Sequence, residues 1–292
     1  MLGPSDLVCA AVPVAHVPLL ERLAPLQASG FAGISVGVAD YRSLVEWGMA
    51  PAEIRARIAD AGLEVADIEC VGLWLPGHEQ VEGPWAKALA GLTPEAGVEI
   101  AAELGARGLL VTEMLGLNAA PEIMAEAFAR ICDLAAPHEI VVHLEGISIG
   151  AVPDFPAALA VVELAGRANG AVTIDPWHLF RSGGTLAQLI AVPARRIGCV
   201  QLCDAPMAPD GDVLRETTTA RLLPGEGEFD LVGLVATLDS IGSTAPITVE
   251  VFHRDNRQRS MAEIATSWSA STRRVLDAAR TTTYPVPTEN LS

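Results

Sequence analysis

The sequence predicts a (β/α)8 barrel, on three observations. Short apolar, β-rich runs alternate with longer Ala/Leu/Glu/Arg segments of helical period, the pattern of βα units around a parallel sheet. The pairs number roughly eight, which is the count that closes a barrel. No GxGxxG turn and no GxxxxGK turn followed by Ser or Thr comes after an early strand, so the usual mark of a doubly wound open sheet is missing.

In chain order, strands are expected near Leu7–Ala11, Gly33–Val38, Val65–Val71 and Gly108–Met114, then Ile140–Glu145, Ala171–Asp175, Ile197–Leu202 and Ile247–Phe252. Each is a short run of Val, Ile, Leu and Cys bounded by turn residues. Helices are expected near Val17–Gln27, Pro51–Asp60, Pro94–Leu104 and Pro121–Leu134, then Phe155–Ala168, Leu186–Ala191, Leu231–Ile241 and Met261–Ala279. Thr93-Pro94-Glu95 and Ala120-Pro121-Glu122 place proline in the first turn, where its missing N–H costs nothing. Two long connections, from about Gly72 to Leu92 and from Ala205 to Phe229, both follow strands and so belong to the face that carries barrel active sites. One domain over 1–280 is expected, with 281–292 a peripheral tail.

The chain has 292 residues, half of them hydrophobic, enough for one large core. No apolar run reaches the ~18 residues of a membrane span, and the start lacks the basic and apolar regions of a secretory signal. A cytoplasmic protein without membrane association is therefore expected. A net charge of −17 repels phosphate backbones, which disfavours nucleic acid as a partner. The single lysine, Lys87, leaves Schiff-base chemistry almost without a nucleophile. Five cysteines without CxxC spacing argue against a disulfide framework and against a cysteine zinc site. The apolar helices permit a homo-oligomer without demanding one.

The strongest chemical signal is a polar residue at the end of each of four successive strands. Glu145 stands in VVHLEG, Asp175 in VTIDPWH, Gln201 in CVQLCD and Glu250 in ITVEVF. Each interrupts a buried apolar run, where an unpaired charge is expensive. One such Glu is ordinarily a cap or ion-pair partner; four on consecutive strands need another explanation. Three carboxylates at one barrel mouth repel one another, and a hard divalent cation resolves that repulsion through oxygen ligands. His143 and Glu145 are two residues apart, so both face the same side of the sheet.

These residues, with Asp175-Pro-Trp-His178, Gln201-Leu-Cys-Asp204 and Pro224-Gly-Glu-Gly227, resemble the xylose-isomerase-like barrel superfamily of sugar isomerases, epimerases and dehydratases. The resemblance covers roughly Val141 to Phe252 well, and the first half only by its strand–helix rhythm. It implies one site for Mn2+, Mg2+ or Co2+ with Glu145, Asp175, Gln201 and Glu250 as ligands. It also implies that His178, in the loop leaving the sixth strand, touches a substrate oxygen, and that Arg221, with Arg215 as the rival, binds a substrate oxygen or carboxylate. Many epimerases of the group have histidine where this chain has Gln201, and glutamine there looks more like the dehydroshikimate-dehydratase branch. The nucleases of the group use histidine-rich trinuclear zinc sites, which six histidines do not supply. His143 is expected either to line the pocket or act in acid/base chemistry, or to pack in the barrel interior, with Trp74 and Trp177 walling the pocket and Glu226 ordering the PGEG loop.

The expected reaction is proton abstraction beside a metal-polarised carbonyl of a small carbohydrate-like substrate, with Glu145 and Glu250 as base and acid. Returning the proton to the neighbouring carbon gives an isomerase, and to the opposite face an epimerase. Expelling a β-hydroxyl gives a dehydratase of a keto-polyol or dehydroshikimate-like acid. A non-catalytic barrel subunit is the reading from a different class, and retention of all four ligand residues counts against it.

Overall fold

In the computed structural model, which describes residues 2–209 and 211–281, eight parallel strands close into a barrel in sequence order. The element order is β1 (Leu7–Cys9), α1 (Leu19–Ala28), β2 (Gly33–Gly37), α2 (Val38–Glu46), α3 (Pro51–Asp60), β3 (Glu64–Val71) and α4 (Pro84–Ala88). It continues with α5 (Pro94–Leu104), β4 (Gly108–Val111), α6 (Pro121–Ala135), β5 (Val141–Glu145), α7 (Phe155–Ala165), β6 (Gly170–Ile174), α8 (Pro176–Arg181) and α9 (Leu186–Ile190). The last quarter adds β7 (Ile197–Leu202), α10 (Val213–Thr219), α11 (Leu231–Ser240), β8 (Ile247–Val249) and α12 (Met261–Thr281). The expected strands are all present, several shorter than the apolar runs because the run continues past the last ladder bond into the loop. The tail expected at 281–292 lies outside the described residues beyond Thr281.

Closure is recorded by the pairing of β1 with both β2 and β8, Val8 facing Gly33 on one side and Thr248 on the other. The outward face of the strands and the inner faces of the surrounding helices form one continuous core, in which Leu104, Phe128, Ile174, Leu189 and Trp268 are buried. Helix termini are specified locally: Thr93 caps α5, Asp154 caps α7 and Asp230 caps α11, each side chain accepting a backbone N–H of the first turn. All five cysteines are free. No helix among the described residues is long and apolar enough to cross a membrane.

The barrel interior is more polar than its wall. At its floor, His143 Nε2 meets Asp67 Oδ1 at 2.7 Å and His143 Nδ1 meets Thr173 Oγ1 at 2.7 Å. Glycine makes room for this chain. A Cβ on Gly108 would lie 2.0 Å from Asp67 Oδ1, and one on Gly198 would lie 3.0 Å from the His143 Cβ.

Candidate metal and acid–base centre

Glu145 ends β5, Gln201 lies in β7, and Glu250 follows β8 directly. Asp175 follows β6 with no intervening loop, because its Oδ1 accepts the Trp177 N–H at 2.7 Å and Pro176 starts α8. The segment read in the sequence as a loop is thus a short helix, and its first turn carries His178 back over the barrel mouth. Carboxylate oxygens of Glu145 and Asp175 and a ring nitrogen of His178 lie within 4.8 Å of one another. Gln201 Nε2 donates to Glu250 Oε1 at 2.9 Å.

Arg221 joins the two halves of the cluster. Its Nη1 donates to Asp175 Oδ2 at 2.7 Å and to Glu250 Oε2 at 3.0 Å. Its Nε and Nη2 are held by the carbonyl and hydroxyl of Thr217 at the end of α10. Trp177 supports this placement: its ring lies 5.4 Å below the guanidinium carbon, and its Nε1–H donates to Glu216 at 2.9 Å. Trp177 is fully buried and holds Arg221 and α10, so it does not wall the cavity; Trp74 is also buried, its indole N–H on the Thr112 carbonyl.

Burial sets the proton affinities here. It raises Glu145 well above the usual carboxylate range, and the neighbouring charges of Glu250 and Asp175 add to the effect. Glu250 is pushed up to about 8 by burial, against the attraction of Arg221. Burial alone would lower Arg221, but the surrounding carboxylates raise it and keep it charged. His178 is lowered to about 4 by burial, so its ring is neutral at neutral pH. The Ser148 backbone N–H donates to His178 Nδ1 at 3.1 Å, which makes that nitrogen the acceptor. His178 Nε2 lies 3.6 Å from Glu145 Oε1 and 3.5 Å from Arg221 Nη2. His178 thus faces the cluster between Glu145 and Arg221.

The oxygen set of the cluster fits a divalent ion. With Glu145, Asp175 and Glu250 ionised and Arg221 charged, two negative charges remain uncompensated. Gln201 Oε1 is buried with no hydrogen-bond partner, a carbonyl oxygen of the kind hard cations take.

His143 is placed elsewhere. It shares the inward face with Glu145, as the alternation requires, but lies one layer deeper, bonded to Asp67 and Thr173. It faces a cavity at the opposite end of the barrel, beside Arg107 and Gly198. A cavity of about 250 Å3 opens at the mouth, where Glu145, His178, Arg221 and Glu250 share its lining with Glu69.

Three carboxylates outside the expected set also shape the mouth. Glu69, at the end of β3, takes the N–H groups of Ala11 and Val12 on one oxygen, and burial pushes it up to about 7. Its signal was present: DIECV shows the same polar interruption of an apolar strand as VVHLEG. Glu113 accepts N–H groups of Leu115, Gly116, Leu117 and Ala151, tying the loops after β4 and β5 together. Glu216 pins α10 to Trp177 and Arg181. The PGEG turn is ordered by Asp204, which accepts from Gly225 and Phe229 and requires Gly227, where a Cβ would lie 2.3 Å from its carboxylate. Glu226, expected to order that turn, is exposed.

A parallel eight-stranded barrel with an acidic, oxygen-rich centre at the carboxyl ends of β5 to β8 defines the class. The chain belongs to the xylose isomerase-like TIM barrel family, whose model matches residues 23–273. The 3-dehydroshikimate dehydratase of Pseudomonas aeruginosa is 28% identical over 240 residues, covering 80% of this chain and 36% of that protein. The chain thus spans about a third of the length of that relative. An inosose isomerase of Bacillus velezensis is 28% identical over 130 residues, 44% of this chain and 45% of that enzyme. Among solved structures, the IolI protein with a bound zinc atom superposes with a TM-score of 0.80 at 16% identity, over 93% of this chain and 98% of that one. The relatives are enzymes, both isomerases and dehydratases.

Proposed function

We propose that this chain is a divalent-metal-dependent isomerase or epimerase of a small carbohydrate-like hydroxy-ketone, with Glu145, Asp175, Gln201 and Glu250 as metal ligands. The observation that carries the reading is the buried set of three carboxylates facing one guanidinium and one unpaired amide oxygen. The zinc in the IolI structure supports a metal in this fold. A divalent ion such as Mn2+, Mg2+ or Co2+ held there supplies Lewis acidity toward a carbonyl and its neighbouring hydroxyl.

The chain's own groups do the rest. Glu145 at the end of β5 and Glu250 just after β8 both line the mouth cavity, and they are the pair assigned as base and acid at carbon. His178, facing the cluster, is placed to hydrogen-bond the substrate oxygen on which charge develops. Arg221, held by Thr217 and Trp177, orients a substrate oxygen beside Asp175 and Glu250. Dehydration is the second reading. Gln201 and the dehydratase relative matching 80% of the chain favour it; the same proton leaves carbon, and a β-hydroxyl then departs with a proton from an acid of the site.

The test is metal analysis followed by turnover in D2O with ketohexoses, inososes and dehydroshikimate. Metal-loaded protein should place deuterium on the carbon beside the carbonyl, and Glu145→Gln and Glu250→Gln should abolish that exchange. A mass loss of one water marks the dehydratase. Protein that takes up no divalent ion and exchanges no C–H bond would be a silent barrel.

A further inference from the structure

The mouth cavity has two unlike sides. One is the carboxylate cluster with His178 and Arg221. The other is built from Val12, Leu110, Met114, Ile149, Leu214 and Phe252, and nearly all of the surface the cavity offers is hydrocarbon. The three threonine hydroxyls on that side each already have one partner within the protein. Thr112 Oγ1 lies on Cys70 Sγ, Thr217 Oγ1 accepts from Arg221, and Thr218 Oγ1 donates to the Leu214 carbonyl.

The rim is apolar as well. Val12, Ile149 and Leu214 are 50%, 48% and 41% exposed, on three separate segments around one opening: the turn after β1, the loop after β5 and helix α10. Single exposed aliphatic residues are ordinary, whereas three converging on one concavity mark a place that covers hydrocarbon. At about 250 Å3 the space falls below the roughly 300–1,000 Å3 of drug-sized sites, so its occupant is small. A free polyol seated there would meet most of its polar partners on the cluster side. Its remaining hydroxyls would lose water without gaining a hydrogen bond.

Building on the hydroxy-carbonyl reading above, we infer that the substrate is two-ended: an oxygen-rich head engages the carboxylate cluster, and a hydrocarbon ring or branched chain lies against Ile149, Leu214 and Phe252. The substrate class is therefore a hydroxy-ketone or hydroxy-acid with an apolar substituent, in place of an open-chain sugar.

Three hydroxamates with one common head test this by calorimetry on Co2+-loaded protein: acetohydroxamate, gluconohydroxamate and cyclohexanecarbohydroxamate. The cyclohexyl compound should bind at least about tenfold more tightly than either of the others. Leu214→Asn and Ile149→Asn, both at half-exposed rim positions, should each remove most of that advantage and leave acetohydroxamate binding unchanged. Gluconohydroxamate binding as tightly as the cyclohexyl compound overturns the apolar end while leaving the hydroxy-carbonyl reading intact. Protein that takes up no metal defeats that earlier reading. The wall is then tested with cyclohexanecarboxylate against gluconate, read as protection against thermal unfolding, and equal protection by the two overturns the inference.

Discussion

Gln201 donates its amide N–H to Glu250 across 2.9 Å, and its amide oxygen is left buried with no hydrogen bond of its own. A buried unpaired oxygen costs stability in the metal-free protein and offers a ligand to a cation. Gln201→Leu should therefore leave thermal stability without metal unchanged or raised, while weakening Mn2+ affinity by at least about 10–100-fold. Calorimetry and paired melting curves check both halves.

Arg221 should show the opposite balance. It bridges Asp175 and Glu250 from a fully buried position, so Arg221→Met leaves two carboxylates uncompensated. Breaking such a pair costs about 3–5 kcal/mol, and denaturant unfolding of metal-stripped protein should show a loss of that size. Added Mn2+ should recover more stability in the variant than in the unaltered protein, because the ion then neutralises charges that the guanidinium no longer meets.

The metal-free protein should lose stability as pH rises. Burial raises Glu69 to about 7 and Glu250 to about 8, and lifts Glu145 in the same direction. Unfolded glutamate titrates near ~4.3, so these folded carboxyls hold their protons longer than the unfolded chain does. Their contribution is complete below that value and is lost as pH climbs through the folded values. His178, lowered to about 4, works the other way, but only below the unfolded histidine value of ~6.5. Melting temperature should thus fall between about pH 6.5 and 8.5, and Glu69→Gln should flatten part of that slope. Saturating metal should reverse it, since metal binding requires the carboxylates ionised.

Asp204→Ala should leave the N–H groups of Ala205, Gly225 and Phe229 without their acceptor. The stability cost is expected at about 1–3 kcal/mol. Because Asp204 also pairs with Leu222, next to Arg221, kcat should fall more than metal affinity does.

The strands and the four residues ending them were legible because a polar residue inside a buried apolar run is costly enough to need a reason. Helix α2 was not, because it begins on Val38 directly out of β2, with no capping side chain on Gly37 to announce it. His143 shows where periodicity stops. Alternation gives the face of a strand but not the depth, and two residues span about 6.6 Å along it. That distance carries His143 from the mouth to the Asp67 pair at the floor. Glu113 lies inside GLLVTEM, the run expected as the fourth strand, and so carried the same signal as Glu145; Glu216 sits in a short helix with no such frame, and the work of both is to hold backbone and side chains from remote segments. Arg221 was singled out for substrate; its contacts with Asp175 and Glu250 depend on a chain path that spacing does not encode.

Helix α10 holds Glu216 against Trp177 while Thr217, one residue on, grips Arg221. Each added residue turns a helix by roughly 100°. A single-residue insertion inside α10 would swing one of these handholds out of reach, even though most of the helix faces solvent. Away from Leu214 and Thr218, which line the mouth cavity, the segment should accept exchanges of side chain on its exposed positions and reject changes of length, the reverse of what surface connections on a barrel ordinarily tolerate.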